Sequence, residues 1–146
     1  MTRARRFQPV HDIARDAESS CAARVAGMER RLQEAERRAQ ELRRYRQEYQ
    51  DSLKERAING LEVRSLREYQ IFLARLSAAI SVQETLVLQL QASCKRERAD
   101  LRAAIARRQS LGKVIERVHM EERKMEDRRH QIEQDERAMQ MAQVRT

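Results

Sequence analysis

The residues that most often carry chemistry are few in this sequence and widely separated. None of the three histidines, His11, His119 and His130, has a second metal ligand four residues further along a helix. Only three glycines occur, which excludes a glycine-rich loop that binds nucleotide phosphates. No acid, base and nucleophile are grouped on a scaffold that would form a concave site. The sequence therefore predicts no catalytic site, no metal site and no cofactor.

The aromatic residues are the most unevenly distributed residues in the chain. Four of its five aromatic residues lie in the two segments LRRYRQEYQDSL and REYQIFLARL, as Tyr45, Tyr49, Tyr69 and Phe72, whereas Phe7 lies alone. Tyr45 and Tyr49 share one face of any helix because they are four residues apart. Aromatic residues surrounded by arginine are typical of binding hot spots. The chemistry that these residues indicate is recognition of a partner.

The composition favours long helices over a layered globular fold. Of the 146 residues, 40% are hydrophobic, 3% aromatic and 37% charged, with three glycines and one proline. So few chain breakers, together with so much charge, are typical of helices that bury only a narrow apolar stripe. We predict an all-α protein.

The charge of the chain is compatible with several classes of partner. The net charge of +8 would attract nucleic acid, acidic lipid or an acidic protein. In RRLQEAERRAQELRRYR, however, acidic and basic residues alternate at helical spacing, which favours a solvated, ion-paired face over a phosphate-binding surface. No apolar core of a signal peptide follows the basic MTRARRFQPV. The least charged stretch, LSAAISVQETLVLQLQASC, contains Glu84 and three glutamines, so we expect it to be too polar to span a bilayer. With no export signal and two cysteines, we expect a reducing cytoplasm.

Apolar residues recur at heptad spacing in two separate parts of the chain, as they do along the seam of a coiled coil. The column in the first part is Phe7, Ala14, Cys21, Met28, Ala35, Leu42 and Tyr49. The first column in the second part is Leu66, Leu73, Ile80, Val87, Cys94, Leu101 and, after a break at Arg108, Ile115. Its companion column is Tyr69, Leu76, Gln83, Leu90, Glu97, Ala104, Leu111, Val118, Met125, Ile132 and Met139.

The two parts are separated by the segment KERAINGLEVRSLRE, which has the features of a turn. Asn59 and Gly60 can adopt the left-handed conformation that ends a helix, and Ser65 with Glu68 forms a capping box that starts the next helix. A short turn makes the two helices antiparallel neighbours. We therefore predict a single antiparallel coiled-coil hairpin over residues 1–146, with helix one at about 10–57, the turn at about 58–64 and a longer helix two at about 65–141.

The unequal helix lengths predict an unpaired segment at the end of helix two. If the pairing is symmetric about the Asn-Gly turn, residue 13 lies opposite residue 106 and residues after about 110 have no partner within the chain. This segment still carries apolar heptad residues: Leu111, Ile115, Val118, Met125, Ile132 and Met139. Such a stripe implies another chain as partner. A frayed, solvated end is the alternative.

The same pairing brings the four clustered aromatic residues to one level of the hairpin. Tyr49 would lie opposite residue 70 and Tyr45 opposite residue 74, with Phe72 half-exposed at the edge of the seam. Two interpretations stay open, a docking patch and a wide aromatic core layer.

The two cysteines are expected to be neighbours in the seam. Cys21 would lie opposite residue 98, within about one helical turn of Cys94. Buried small hydrophobic side chains are the default interpretation of such residues, with a disulfide as the alternative.

With the hairpin, the turn and the aromatic level in place, the chain resembles the FliJ family of flagellar type III export proteins. The likeness lies in LRRYRQEYQDSL, NGLEVRSLREYQIFLARLSAAI and DRRHQIEQDERAMQMAQ. It implies a non-enzymatic, cytoplasmic coiled coil, similar to the central stalk of rotary ATPases, located at the inner face of the cell membrane at the flagellar base. It also implies three kinds of partner: a hexameric FliI-type export ATPase, a FlhA-type export gate and export chaperones.

The resemblance also implies the location of two binding surfaces. The residues that match the family's gate-contacting surface are Leu42, Tyr45, Tyr49, Phe72, Leu76 and Ala79. By analogy with the rotary stalk, the apolar residues from Leu111 to Met139 would enter the ATPase ring.

Two other classes of function compete with this interpretation. A structural or adaptor coiled coil would pair its unpaired segment with a second copy, whereas we expect a monomer. A basic nucleic-acid-binding module would lose affinity steeply with salt. We expect no nucleic acid as partner because glutamates are interspersed among the arginines.

Overall fold

The computed structural model describes residues 3–145 and contains two helices. Helix α1 runs from Arg3 to Ile58 and helix α2 from Val63 to Arg145. The helices pack against each other as an antiparallel helical hairpin, and α2 is the longer one. The predicted all-α hairpin is therefore confirmed. The prediction that it forms a single domain stays a prediction, and the chain divides into two compact units that are described in turn.

The first unit comprises residues 21–100 and contains the turn. On α2 its core follows the predicted heptad columns, whereas on α1 Val25 and Ala39 lie in a second column that the sequence analysis did not identify. The buried apolar residues are Cys21, Val25, Ala35 and Ala39 on α1 and Leu76, Ile80 and Cys94 on α2. Alanines in this position allow two helices to approach closely, so a thin core is still tightly packed.

Ion pairs between the two helices flank this core. Arg24 contacts Glu97 at 3.3 Å, Arg98 contacts Glu29 at 3.0 Å and Arg43 contacts Glu84 at 3.1 Å. These pairs are largely solvated, so each contributes about 0–1 kcal/mol to stability. They fix the register of the helices more than they strengthen the packing.

The second unit comprises residues 1–20 and 101–146, and α1 covers more of α2 there than predicted. The backbone N–H of Ala4 donates to Oε1 of Glu122 at 3.4 Å, and Arg108 pairs with Glu18. Ile115 and Val118 are buried and Leu111 is half-buried.

The predicted start of the unpaired segment at about residue 110 is therefore wrong. All residues from 123 to 145 are exposed, whereas Leu111, Ile115 and Val118 belong to the hairpin core. Of the six apolar residues assigned to this segment, Met125, Ile132 and Met139 remain without cover in the described chain.

Helix α1 begins earlier than predicted, at Arg3 and not at about residue 10. Proline lacks an amide hydrogen and usually breaks a helix interior, but α1 begins at Arg3 and continues through Pro9. As the seventh residue of α1, Pro9 leaves the carbonyl of Arg5 without its usual amide donor within the helix. Ala4 is buried and Phe7 half-buried, so packing of this first segment offsets the cost of the proline.

The turn between the helices is shorter than predicted. Gly60 has a φ of 89°, the left-handed conformation that the Asn-Gly pair predicted. Helix α2 begins at Val63, and its first backbone hydrogen bond runs from the N–H of Leu66 to the carbonyl of Glu62 at 3.0 Å. Ser65 therefore lies inside the first turn of α2, and its prediction as the N-cap residue is wrong.

Two glycine-to-alanine substitutions are expected to change stability in opposite directions. Gly60→Ala forces a Cβ into the left-handed region, which costs about 1–2 kcal/mol. Gly27→Ala lies in the interior of α1 with no atom within 4 Å of the added Cβ, so it is expected to stabilise the protein by about 0.5–1 kcal/mol. Urea unfolding followed by circular dichroism measures both, and equal shifts of the same sign would contradict this account of the turn.

The thin core is expected to be sensitive to cavities. Ile80 is 2% exposed, so Ile80→Ala is expected to lower the free energy of unfolding by about 2–5 kcal/mol. The matched control is Ile132→Ala, because Ile132 is 58% exposed and its truncation is expected to change stability by less than about 0.5 kcal/mol. Thermal unfolding of the two variants checks this, and similar melting temperatures would show that Ile80 is not in the core.

Helix α2 is more apolar than expected over the least charged stretch of the sequence. By length and composition alone, α2 contains an 18-residue window that is apolar enough to cross a membrane, and only 11% of this window is buried. The prediction that LSAAISVQETLVLQLQASC is too polar to span a bilayer is therefore wrong by this criterion of length and composition. Part of α2 is therefore both apolar and largely exposed.

Candidate partner-binding site

The four aromatic residues predicted to converge form one cluster in the unit that contains the turn. Tyr49 is at its centre, with ring centroids 4.4 Å from Phe72, 5.0 Å from Tyr69 and 6.1 Å from Tyr45. Tyr45 also meets Phe72 edge-on at 6.3 Å. We call Tyr45, Tyr49, Tyr69 and Phe72 the aromatic cluster. The cluster confirms the prediction that these four aromatic side chains meet at one level of the hairpin.

The aromatic cluster has an inner and an outer part. Tyr49 and Tyr69, both on seam columns, are half-buried, whereas Tyr45 is 49% exposed and Phe72 is 36% exposed. Phe72 is thus half-exposed at the edge of the seam, as predicted. The two open interpretations therefore apply to different residues, since the inner pair forms a core layer and the outer pair presents aromatic surface to solvent.

Contacts among the rings hold the exposed pair in place. Each pair of aromatic rings in this geometry contributes about 0.5–1.5 kcal/mol beyond the area that it buries. A side chain that is already fixed loses little entropy when a partner binds. Tyr45 and Phe72 are therefore preorganised to act as anchors.

The other residues assigned to the gate surface surround the cluster at different depths. Ala79 is exposed, Leu42 is half-buried and Leu76 is 8% exposed. Leu76, one helical turn after Phe72, is too deeply buried to offer much surface to a partner. These three residues thus differ in their accessibility to a partner.

A shallow groove of about 520 Å³ lies beside the exposed edge of the cluster. It is lined by Arg38, Glu41, Leu42, Arg44, Tyr45, Glu48 and Gln83. Its lining combines both signs of charge with Leu42 and Tyr45, which suits an amphipathic protein segment better than a small molecule.

Sequence reasoning missed one member of the site. The guanidinium of Arg56 lies 5.6 Å from the ring centroid of Tyr69, in a cation–π arrangement. The signal was present, because Arg56 continues the heptad column of Tyr49. Arg56 was not identified because the heptad columns were defined by apolar residues.

A second exposed apolar surface lies near the end of α2. Met125, Ile132 and Met139 are 64%, 58% and 71% exposed and are spaced seven residues apart. We call these three residues the terminal stripe. The terminal stripe contains the residues of the predicted unpaired segment that are exposed, since Leu111, Ile115 and Val118 belong to the hairpin core.

The cysteines occupy the seam, as predicted. Cys21 and Cys94 are buried and free, and Nη2 of Arg24 lies 3.1 Å from Sγ of Cys21. Among residues 3–145, no group of three or more histidine, cysteine, aspartate or glutamate side chains is placed to hold a metal ion.

Taken together, the fold and the site define a class of protein, a helical hairpin that offers apolar surfaces to other proteins. Comparison with protein families makes this more specific, since a family model described as "Flagellar FliJ protein" matches residues 3–146. The chain belongs to the FliJ family, whose members are non-catalytic components of flagellar protein export. Membership is compatible with a cytoplasmic location at the flagellar base. No curated protein and no solved structure matched the chain in the corresponding comparisons.

Proposed function

We propose that this chain is a stalk-like adaptor that links a FliI-type export ATPase to a FlhA-type export gate at the inner face of the cell membrane. The observation that carries this proposal is the aromatic cluster, which presents two preorganised aromatic side chains in a protein of the flagellar export family. Export components act by contacting one another, so an exposed, arginine-flanked aromatic surface has an evident use.

The gate is the partner that we assign to the aromatic cluster. The six residues matched to the family's gate-contacting surface lie in and around this cluster. Tyr45 and Phe72 would enter apolar pockets of the gate, while Ala79 and the groove beside Leu42 would extend the contact around them. The charged pair Arg44 and Glu48, 4.0 Å apart, would form part of the polar rim.

The ATPase is the partner that we assign to the terminal stripe. Its three apolar residues form one face of a helix whose other residues are mostly charged, an arrangement typical of a helix that inserts into a groove or a ring. Because Leu111, Ile115 and Val118 lie in the hairpin core, the contact would be made by residues after Glu122. Export chaperones are further partners in this proposal, and we assign no surface to them.

The ion pairs of the arginine-rich segment argue against a nucleic-acid-binding function. In the segment with alternating charges, Arg43 pairs with Glu84, Arg37 with Glu41 and Arg44 with Glu48. Carboxylates this close to the guanidinium groups weaken the attraction of phosphates.

The experiment that tests the proposed function is binding of the purified chain to the export ATPase and to the cytoplasmic domain of the export gate from the same cell. We expect binding to both, with a modest dependence on salt. Duplex DNA is the control ligand, for which a nucleic-acid-binding protein would show a steep salt dependence. Tight DNA binding with no binding to either export protein would refute the proposal.

A further inference from the structure

The side of α2 that faces away from α1 carries an apolar strip that neither the hairpin core nor the proposed partner sites use. Val82 is 72% exposed and lies about 200° around the helix from buried Ile80. Ile71 is 50% exposed on the same side. We call this surface the outer strip, and its exposed residues are Ile71, Ala78, Val82, Thr85, Gln89 and Ala92.

The outer strip is nearly free of charge in a chain that is otherwise rich in it. Between Ile71 and Cys94 the sequence has two charged residues, Arg75 and Glu84, although 37% of the whole chain is charged. Glu84 is paired with Arg43 of α1, so Arg75 is the charge that lies among the strip residues. An exposed helical face of this length with a single charge is typical of a buried interface.

The spacing of the outer strip is that of a second coiled-coil seam. Ile71, Ala78, Thr85 and Ala92 form one heptad column, and Arg75, Val82 and Gln89 form the other, so the seam contains one charged residue. Alanine at several of these positions permits a close approach of a second helix. The partner that fits is therefore a helix packed along α2.

The charges at the two ends of the outer strip indicate which helix this is. Arg64 and Asp100 lie 18 residues before and after Val82, which is five full helical turns, so both are on the face of Val82. Glu68 and Arg96 lie 14 residues before and after it, two heptads in each direction. All four residues are exposed.

This pattern is self-complementary for antiparallel pairing. If two copies of α2 cross at Val82, Arg64 of one copy meets Asp100 of the other, and Glu68 meets Arg96. Each contact occurs twice, as the twofold symmetry of an isologous dimer requires.

Other arrangements of the two copies do not pair opposite charges in this way. Parallel pairing would place each of these charges against its own copy, and an antiparallel shift by one heptad would place Arg75 against Arg96. Like charges facing each other are destabilising.

We infer that the outer strip is a homodimer interface, in which the α2 helices of two copies pack antiparallel about a twofold axis at Val82. The paired surface extends from Arg64 to Asp100, about 54 Å along the helix. This differs from the expected monomer and from a dimer formed through the terminal segment. The gate and ATPase contacts use other residues, so the proposed function does not depend on it.

Sedimentation equilibrium of the full chain over a range of concentrations tests this inference. We expect a monomer–dimer equilibrium that Val82→Glu weakens by at least about tenfold, because it buries two carboxylates face to face at the symmetry axis. The control is Ile13→Glu, which places the same charge on an isoleucine of α1 that is 68% exposed and lies outside the strip, and it is expected to leave the equilibrium unchanged. Circular dichroism of both variants checks that the hairpin is intact.

Cross-linking tests the register. With the native cysteines buried, Val82→Cys is expected to give a covalent dimer on mild oxidation, whereas Leu88→Cys, also exposed but off the symmetry axis, is expected to give little. A chain that stays monomeric at all concentrations would overturn the inference, as would a dimer insensitive to Val82→Glu or equal cross-linking at both positions. A monomer whose Val82→Glu variant fails to bind the gate or the ATPase would instead assign the strip to that partner.

Discussion

Phe72→Ala is expected to weaken binding of the export gate by roughly thirtyfold or more, the loss that corresponds to about 2 kcal/mol at a hot-spot residue. Phe72 presents part of its ring to solvent and is held by Tyr49 and Tyr45 on its inner side. Truncation removes an aromatic anchor that is already in position before the partner arrives. Isothermal titration calorimetry with the cytoplasmic domain of the gate measures the change in affinity.

The control for this variant is Val63→Ala. Val63 is 82% exposed and begins the same helix outside the aromatic cluster, so its truncation is expected to leave gate binding unchanged. The helicity of the Phe72 variant should remain near that of the parent chain because Ile80 and Leu76 still form the core beneath. A large loss of helicity would make Phe72 a core residue, and unchanged gate affinity would remove the aromatic cluster from the gate interface.

Replacing the terminal stripe is expected to abolish most binding to the export ATPase. The triple variant Met125→Gln/Ile132→Gln/Met139→Gln keeps the length and charge of α2 while removing its three exposed apolar anchors, so we expect affinity to fall at least about a hundredfold. The melting temperature should hardly change, because all residues from 123 to 145 are exposed. Surface plasmon resonance and the rate of ATP hydrolysis measure binding and stimulation.

A matched pair of exposed residues supplies the control for the terminal stripe. Met141 is 71% exposed and Val144 is 87% exposed, and neither is in the heptad column of the stripe. Met141→Gln/Val144→Gln is expected to bind the ATPase as the parent chain does. If the triple variant also binds and stimulates normally, the terminal stripe has no part in the ATPase contact.

The sequence predicted the features that depend on periodicity. Heptad spacing alone placed Ile80, Cys94 and Ala35 in the core, and the Asn-Gly turn fixed a register that brought Tyr49 against Tyr69 and Phe72. In a coiled coil these properties are local or follow from counting residues away from one turn. This is why the aromatic cluster could be located before its contacts were known.

The errors arose where packing outweighed a local signal. Helix one was predicted to start at about residue 10, but the burial of Ala4 extends α1 to Arg3 and moves the end of its pairing with α2 to Glu122. Similarly, Ser65 had the spacing of a cap, but α2 begins two residues earlier at Val63. Such differences of a few residues depend on the free energy of tertiary packing, which no local motif reports.

The outer strip shows a different limit of the sequence. The low charge of LSAAISVQETLVLQLQASC was visible, but heptad counting had already assigned the apolar residues of one face to the hairpin seam. Only the exposure of Val82 and Ile71 showed that a second apolar face remained. A helix that is apolar on two faces needs two partners, and periodicity alone does not separate them.

The central claim is that the gate and the ATPase are bound by different surfaces of this hairpin. Parallel titration of the Tyr45→Ala/Phe72→Ala variant with the export gate and with the export ATPase tests it most directly. We predict that binding to the gate is lost while affinity for the ATPase stays within about twofold of the parent chain. Loss of both interactions, or of the ATPase interaction alone, would contradict the assignment of the aromatic cluster to the gate.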